Sequence, residues 1–112
     1  MNLEEIREKI DIIDRQMLEL FCSRMELVKN VAEYKIEKGL PVFHPEREQQ
    51  ILSEMKLLGG EEYGEYAQAV FQQMMDVSRQ MQEKMIKVHE TLNRSSDGAA
   101  EMETAEKSRR DQ

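Results

Sequence analysis

A chain of 112 residues with a formal net charge of −7 has no basic excess to displace counterions from a phosphate backbone, which argues against a nucleic-acid partner. One Cys closes no internal disulfide, and no apolar run suits a signal peptide or a membrane span, so a cytoplasmic protein without a membrane partner is expected. Charged residues at 35%, aromatics at 5% and nine Met predict a small all-α protein whose core rests on Leu, Ile, Val and Met.

The first 38 residues contain neither Pro nor Gly. Leu3, Ile6, Ile10, Ile13, Met17, Leu20, Leu27, Val31 and Tyr34 recur with the 3,4 alternation of one helical stripe, predicting a helix from about Asn2 to Lys38, roughly 55 Å long. Arg24 occupies the slot between Leu20 and Leu27 where an apolar residue should stand. A charge there is costly unless paired. Taken alone, it is either a register or snorkelling device of a coiled coil or an anchor for something bound.

Gly39 suits a helix C-cap, and residues 39–43 form a connector. Pro45, preceded by His44, suits a first helical position, so a short second helix begins there, with Glu46 and Glu48 favoured by the dipole of its first turn. Gly59-Gly60 should end it after roughly 20 Å. A third helix is predicted from Glu61 or Glu62 to about Val88, with Gly64 as a weak spot near its start. Ser78 and Gln82 interrupt its apolar face from the same side, four residues apart. Each has a plain alternative: Ser78 bonding back to its own helix, Gln82 sitting at the stripe's edge. From about residue 89 to 112 the apolar period is lost, which predicts a frayed, disordered tail or linker after a folded domain over 1–88. Residues 87–112 carry −1, leaving −6 on the remainder, so an anionic ligand must be held by local cations.

The apolar stripe runs the whole first helix, yet a second helix of roughly 20 Å can cover only part of it. A second copy of the chain is the simplest way to bury the remainder, predicting a homodimer through the long helices.

No CxxC pair, HExxH, phosphate-binding Gly-rich loop or GxSxG is present, so neither metal nor cofactor is expected. What remains are polar residues in apolar faces. Lys35 follows Arg24 by eleven residues, about three turns, which puts both cations on one face roughly 16 Å apart. Arg7 lies about 100° away around the helix, better placed for a partner subunit than for its own chain. Arg and Lys side chains converging between helices suit a small ligand with more than one carboxylate.

The segments LEEIREKIDIIDRQMLELFCSRMELVKNVAEYK, GLPVFHPEREQQIL and FQQMMDVSRQMQ, in this order and spacing, resemble the all-helical class of chorismate mutase from about Leu3 to Met85. The resemblance implies a three-helix chain (one long, one short, one long), an intertwined homodimer, and conversion of the dicarboxylate chorismate to prephenate. It implies that Arg7 reaches the partner's site and that Arg24 anchors a carboxylate. Lys35 would contact a carboxylate and the breaking ether oxygen, Arg47 would add positive charge, and Glu48 would accept from the substrate hydroxyl. Ser78 would bond the ring carboxylate, and Gln82 would donate to the ether oxygen. The chain departs from many family members at His44, where they carry Asp near the substrate hydroxyl; His44 is either a substrate contact or part of the start of the second helix. The reaction is an intramolecular [3,3] rearrangement and needs no nucleophile, metal or cofactor. Other readings of the same residues are a regulatory module that binds chorismate or prephenate or is docked or fused to another shikimate-pathway enzyme, and a plain helical dimerisation module. The last gains nothing from burying Arg24, Lys35, Ser78 and Gln82.

Overall fold

The computed structural model describes residues 1–110, with side-chain surroundings for 1–95. The described residues form two helices joined by a short connector: α1 over Leu3–Lys38 and α2 over Pro45–Arg110. None of the described helices is long and apolar enough to cross a membrane. The chain divides into two units, Met1–Pro41 and Val42–Gln112.

In the first unit, the Asn2 side chain accepts from the Glu5 backbone N–H at 2.9 Å, which satisfies one of the donors left over in a first turn. Glu4 and Glu5 follow at the positive end of the dipole, with Lys35 and Lys38 at the negative end. Gly39, at φ 67° and ψ 32°, turns the chain out of the helix in the left-handed region, and Leu40 N–H donates to the Lys35 carbonyl at 2.8 Å. These bounds agree with the predicted helix. Residues 1–20 are exposed throughout, and burial begins at Phe21. Phe21, Arg24, Met25, Val28, Ala32, Lys35 and Ile36 are buried or half-buried, whereas Leu20, Leu27, Val31 and Tyr34 are exposed.

In the second unit, the expectation of a short helix and a third helix separated by a break is corrected in one respect: the two run on without a loop as α2, so the chain has two continuous helical elements and not three, the second made of two helical arms that meet at Gly60. The expected stop at Gly59-Gly60 narrows to one residue, Gly60, whose φ of 72° and ψ of −171° are non-helical while its neighbours remain helical. One such residue redirects a helix without needing a loop. In a straight helix Glu48 and Arg79 would lie about 46 Å apart. Instead Glu48 Oε2 lies 2.9 Å from Arg79 Nε, and Gln68 Nε2 donates to the Leu52 carbonyl at 3.3 Å. The arm before Gly60 therefore folds back along the arm after it. The turn is tight: a Cβ on Gly59 would meet the Gly64 backbone at 2.8 Å, and one on Gly64 would run into the Lys56 carbonyl oxygen. Gly64 is thus the contact that lets the arms close.

α2 also passes Val88, where the third helix was expected to fray. Of the tail predicted over 89–112, residues 111 and 112 and the side chains from 96 onward lie outside the described residues.

Gly60 sits in a backbone region open essentially to Gly alone. Gly60→Ala is expected to destabilise the fold by about 1–3 kcal/mol, read as a lowered Tm in thermal unfolding. An unchanged Tm would mean that the reversal does not depend on this conformation.

Candidate functional site

The two units hold different parts of the predicted site. On α1, Arg24 and Lys35 are both half-buried and differ by about 20° around the axis at 100° per residue, so they share a face as expected. They lie at the border between the covered side of the helix and the exposed stripe of Leu20, Leu27, Val31 and Tyr34. A long cationic side chain at such a border can bury its stem and aim its head along the boundary. Arg7 lies in the fully exposed N-terminal half of α1.

On α2, Ser78 and Gln82 are 5% and 6% exposed, among the most deeply buried side chains described, beside Met75 at 4%. They are neither edge residues nor solvent-facing. Ser78 Oγ donates to the Met74 carbonyl at 2.8 Å, the bond back to its own helix that sequence reasoning had set against a ligand role. This bond does not exhaust the hydroxyl, whose oxygen also accepts and whose proton can rotate to a new partner. The face that holds both residues is apolar otherwise, with Phe71, Met74 and Met85 half-buried around it.

His44 sits at the start of α2 and accepts the Arg47 backbone N–H on Nδ1 at 3.1 Å. It thereby caps the helix as a shorter polar side chain would, and its other ring nitrogen faces away from that bond. The structure therefore supplies the helix-start role that the sequence had left as one of two alternatives. Arg47 is exposed and reaches Gln50 Oε1 at 3.4 Å, a loose contact within one turn. Glu48 faces inward, where its carboxylate meets Arg79.

Arg79 is the residue that sequence reasoning passed over. Its Nε lies 2.9 Å from Glu48 Oε2 without the N–H pointing at that oxygen, so the pair is a close ionic contact and not an aligned hydrogen bond. Its Nη2 pairs with Asp76, which also accepts from Gln72 Nε2 at 3.1 Å. The guanidinium lies 5.1 Å from the centre of the Phe43 ring, within cation–π range. Periodicity could not reveal this cluster, because Arg79 falls one step outside the row of Ser78 and Gln82 and its partner is 31 positions away.

Two groups of candidate side chains result: on α1, cations at the edge of a covered face; on α2, a buried hydroxyl and a buried amide, and an inward carboxylate paired with a guanidinium. The α1 cations suit carboxylates, and the α2 hydroxyl, amide and carboxylate suit groups that donate or accept hydrogen bonds. They include no nucleophile–base pair.

Residues 6–83 match the family described as chorismate mutase type II. A chorismate mutase of Methanocaldococcus jannaschii is 46% identical over 56 residues, which cover 50% of this chain and 57% of that protein. The T-protein of Haemophilus influenzae is 42% identical over 55 residues, 49% of this chain and 15% of that protein. A bifunctional chorismate mutase/prephenate dehydratase of Aquifex aeolicus is 40% identical over 62 residues, 55% of this chain and 17% of that protein. The chain thus spans between about a seventh and three fifths of the length of these relatives. The family match takes in α1 from Ile6, the connector, the Gly60 reversal and the buried Ser78 and Gln82, and on it the chain belongs to the chorismate mutase type II family.

Proposed function

We propose that this chain is a chorismate mutase, an isomerase of aromatic amino acid biosynthesis in the cytoplasm that converts chorismate to prephenate by intramolecular [3,3] rearrangement. The observation that carries this reading is the deep burial of Ser78 and Gln82 on one face of α2. A hydroxyl and an amide side by side on a buried apolar face can hydrogen-bond a polar ligand where water is excluded, which makes each such bond count for more.

The roles follow from the reaction's charge changes. Breaking the ether bond builds negative charge on its oxygen, so donors and cations fixed at that atom lower the barrier more than they stabilise the ground state. Lys35 and Gln82 take that place. Arg24, Arg47, the partner's Arg7 and Ser78 hold the two carboxylates and keep the substrate in its compact conformer, which removes part of the barrier as prepaid ordering. Glu48 accepts from the substrate hydroxyl. His44, occupied with capping α2 through Nδ1, acts on the substrate only through its remaining ring edge. Acceleration by about 10⁶-fold, the lower end for enzymes, corresponds to roughly 8 kcal/mol, which is within reach of several such groups acting together.

The working form is an intertwined homodimer. Only Ala32 and Met75 are buried apolar residues among those described, whereas Ile6, Ile10, Ile13, Met17 and Leu20 of α1 are all exposed, a pattern that supports a second copy along α1. The names of the bifunctional relatives support a fused or docked pathway enzyme as a further partner, with residues 89–112 as the linker.

The purified chain mixed with chorismate is expected to consume it catalytically. Because the Gln82 amide does not titrate, kcat should stay level between pH 6 and 8. Failure to consume chorismate would refute the reading, and saturable binding without turnover would replace it with a regulatory module. A steep fall of kcat across that pH range would refute the role of Gln82.

A further inference from the structure

The proposed site contains a liability. Chorismate carries two carboxylates, yet Glu48 and Asp76 place two more near the groups that would receive it. Without a counter-charge, this side of the site would repel its own ligand. The structure supplies one: Arg79, between Ser78 and Gln82 in the chain, with Glu48 Oε2 at 2.9 Å from its Nε and Asp76 at its Nη2. The Phe43 ring at 5.1 Å braces the guanidinium plane. With Arg79 the three charges sum to −1, and without it to −2.

Resting on the chorismate mutase reading, we propose that Arg79 is a positioning residue for Glu48. Glu48 is only 15% exposed, so its carboxylate cannot swing freely away from the site into water. One oxygen faces Arg79. The other is left as the acceptor for the substrate hydroxyl, because a carboxylate has lone pairs on both oxygens. Arg79 thus fixes the direction of the carboxylate and cancels its charge toward the ligand. It touches no reacting atom, so its effect falls on substrate binding and not on the chemical step. The pair also ties the start of α2 to its returning arm, which means a purely structural role has to be told apart from this one.

A double-mutant cycle on the full chain separates the two. R79Q is expected to raise KM by about tenfold at low ionic strength, with kcat within about threefold of the parent, and the KM defect should shrink as salt is added. E48Q keeps an acceptor oxygen but carries no charge to cancel. In the E48Q background R79Q removes the same positive charge but releases no Glu48 carboxylate, so KM should change by about threefold and not tenfold, a coupling that independent structural effects do not produce. R79K, which keeps the charge, should recover most of the KM. A KM unchanged in R79Q, or a defect of equal size in both backgrounds, would overturn the proposal while leaving the reaction assignment standing. Absence of turnover in the parent chain would instead overturn the reaction assignment, and this proposal with it. A readout independent of R79Q folding is the ¹⁵Nε–H resonance of Arg79. It should move in E48Q, and in the parent it should move on addition of chorismate; a resonance indifferent to chorismate would overturn the proposal.

Discussion

Lys35→Ala is expected to lower kcat by about 10²- to 10³-fold, or roughly 3–4 kcal/mol of transition-state stabilisation, with a smaller change in KM. The proposed role of Lys35 is to meet charge that exists only as the ether bond lengthens, so its removal should weaken the transition state far more than the ground state. Arg24→Ala should behave differently. A carboxylate is charged in substrate and transition state alike, so losing its anchor should appear chiefly as a KM raised by about 10- to 100-fold, the cost of one charge-assisted contact. Both residues are half-buried on the same edge of α1, and a general loss of packing would move both variants alike. Steady-state kinetics with chorismate, alongside thermal unfolding, decides between these. Turnover in Lys35→Ala within threefold of the parent would remove Lys35 from the site.

The second large effect concerns assembly. Nine apolar positions of the α1 stripe, from Leu3 to Tyr34, are exposed in the single chain. Fully burying one such side chain contributes about 1.5–3 kcal/mol. Even partial burial of nine is comparable with the roughly 5–15 kcal/mol that holds a typical domain together, so the isolated chain has strong reason to pair. If Arg7 completes the partner's site, Arg7→Ala and Lys35→Ala should each be nearly inactive alone, yet restore activity when unfolded and refolded together. Random pairing at equal amounts makes half the dimers mixed, and each mixed dimer has one intact site. The expected recovery is about a quarter of the parent's activity. No recovery, despite sedimentation showing mixed dimers, would place Arg7 in its own chain's site or in none. A monomer by sedimentation at micromolar concentration would reject the dimer itself.

Much of the local structure could be read from the residues in order. An uninterrupted 3,4 apolar period, Gly39 and Pro41 bracket α1 because they act through helix geometry and backbone sterics, which are properties of neighbouring residues. The same holds for Pro45 as the first residue of α2 and for the shared face of Arg24 and Lys35, and the family resemblance rests on these spacings too. The Gly59-Gly60 pair was read as the end of one helix and the start of another. Whether two glycines end a helix or merely redirect it depends on whether the arms can pack, and that is decided by Gly64 against Lys56 and by Gln68 against Leu52.

Among the site residues, spacing alone put Ser78 and Gln82 on one side of a helix, but it could not say that they are buried, since burial depends on what the rest of the chain lays over them. Nor could it show that His44 caps α2, because Nδ1 must be turned toward the Arg47 N–H for that. Arg79 is the clearest case. In sequence it is one of many surface-type charges; it becomes the counter-ion of Glu48 only because the chain reverses at Gly60 and brings positions 31 apart to 2.9 Å. Helical period and caps are encoded within a few residues, so the sequence by itself determined them. The pairing of charges across a reversal has no local signature, and the tertiary structure alone decided it.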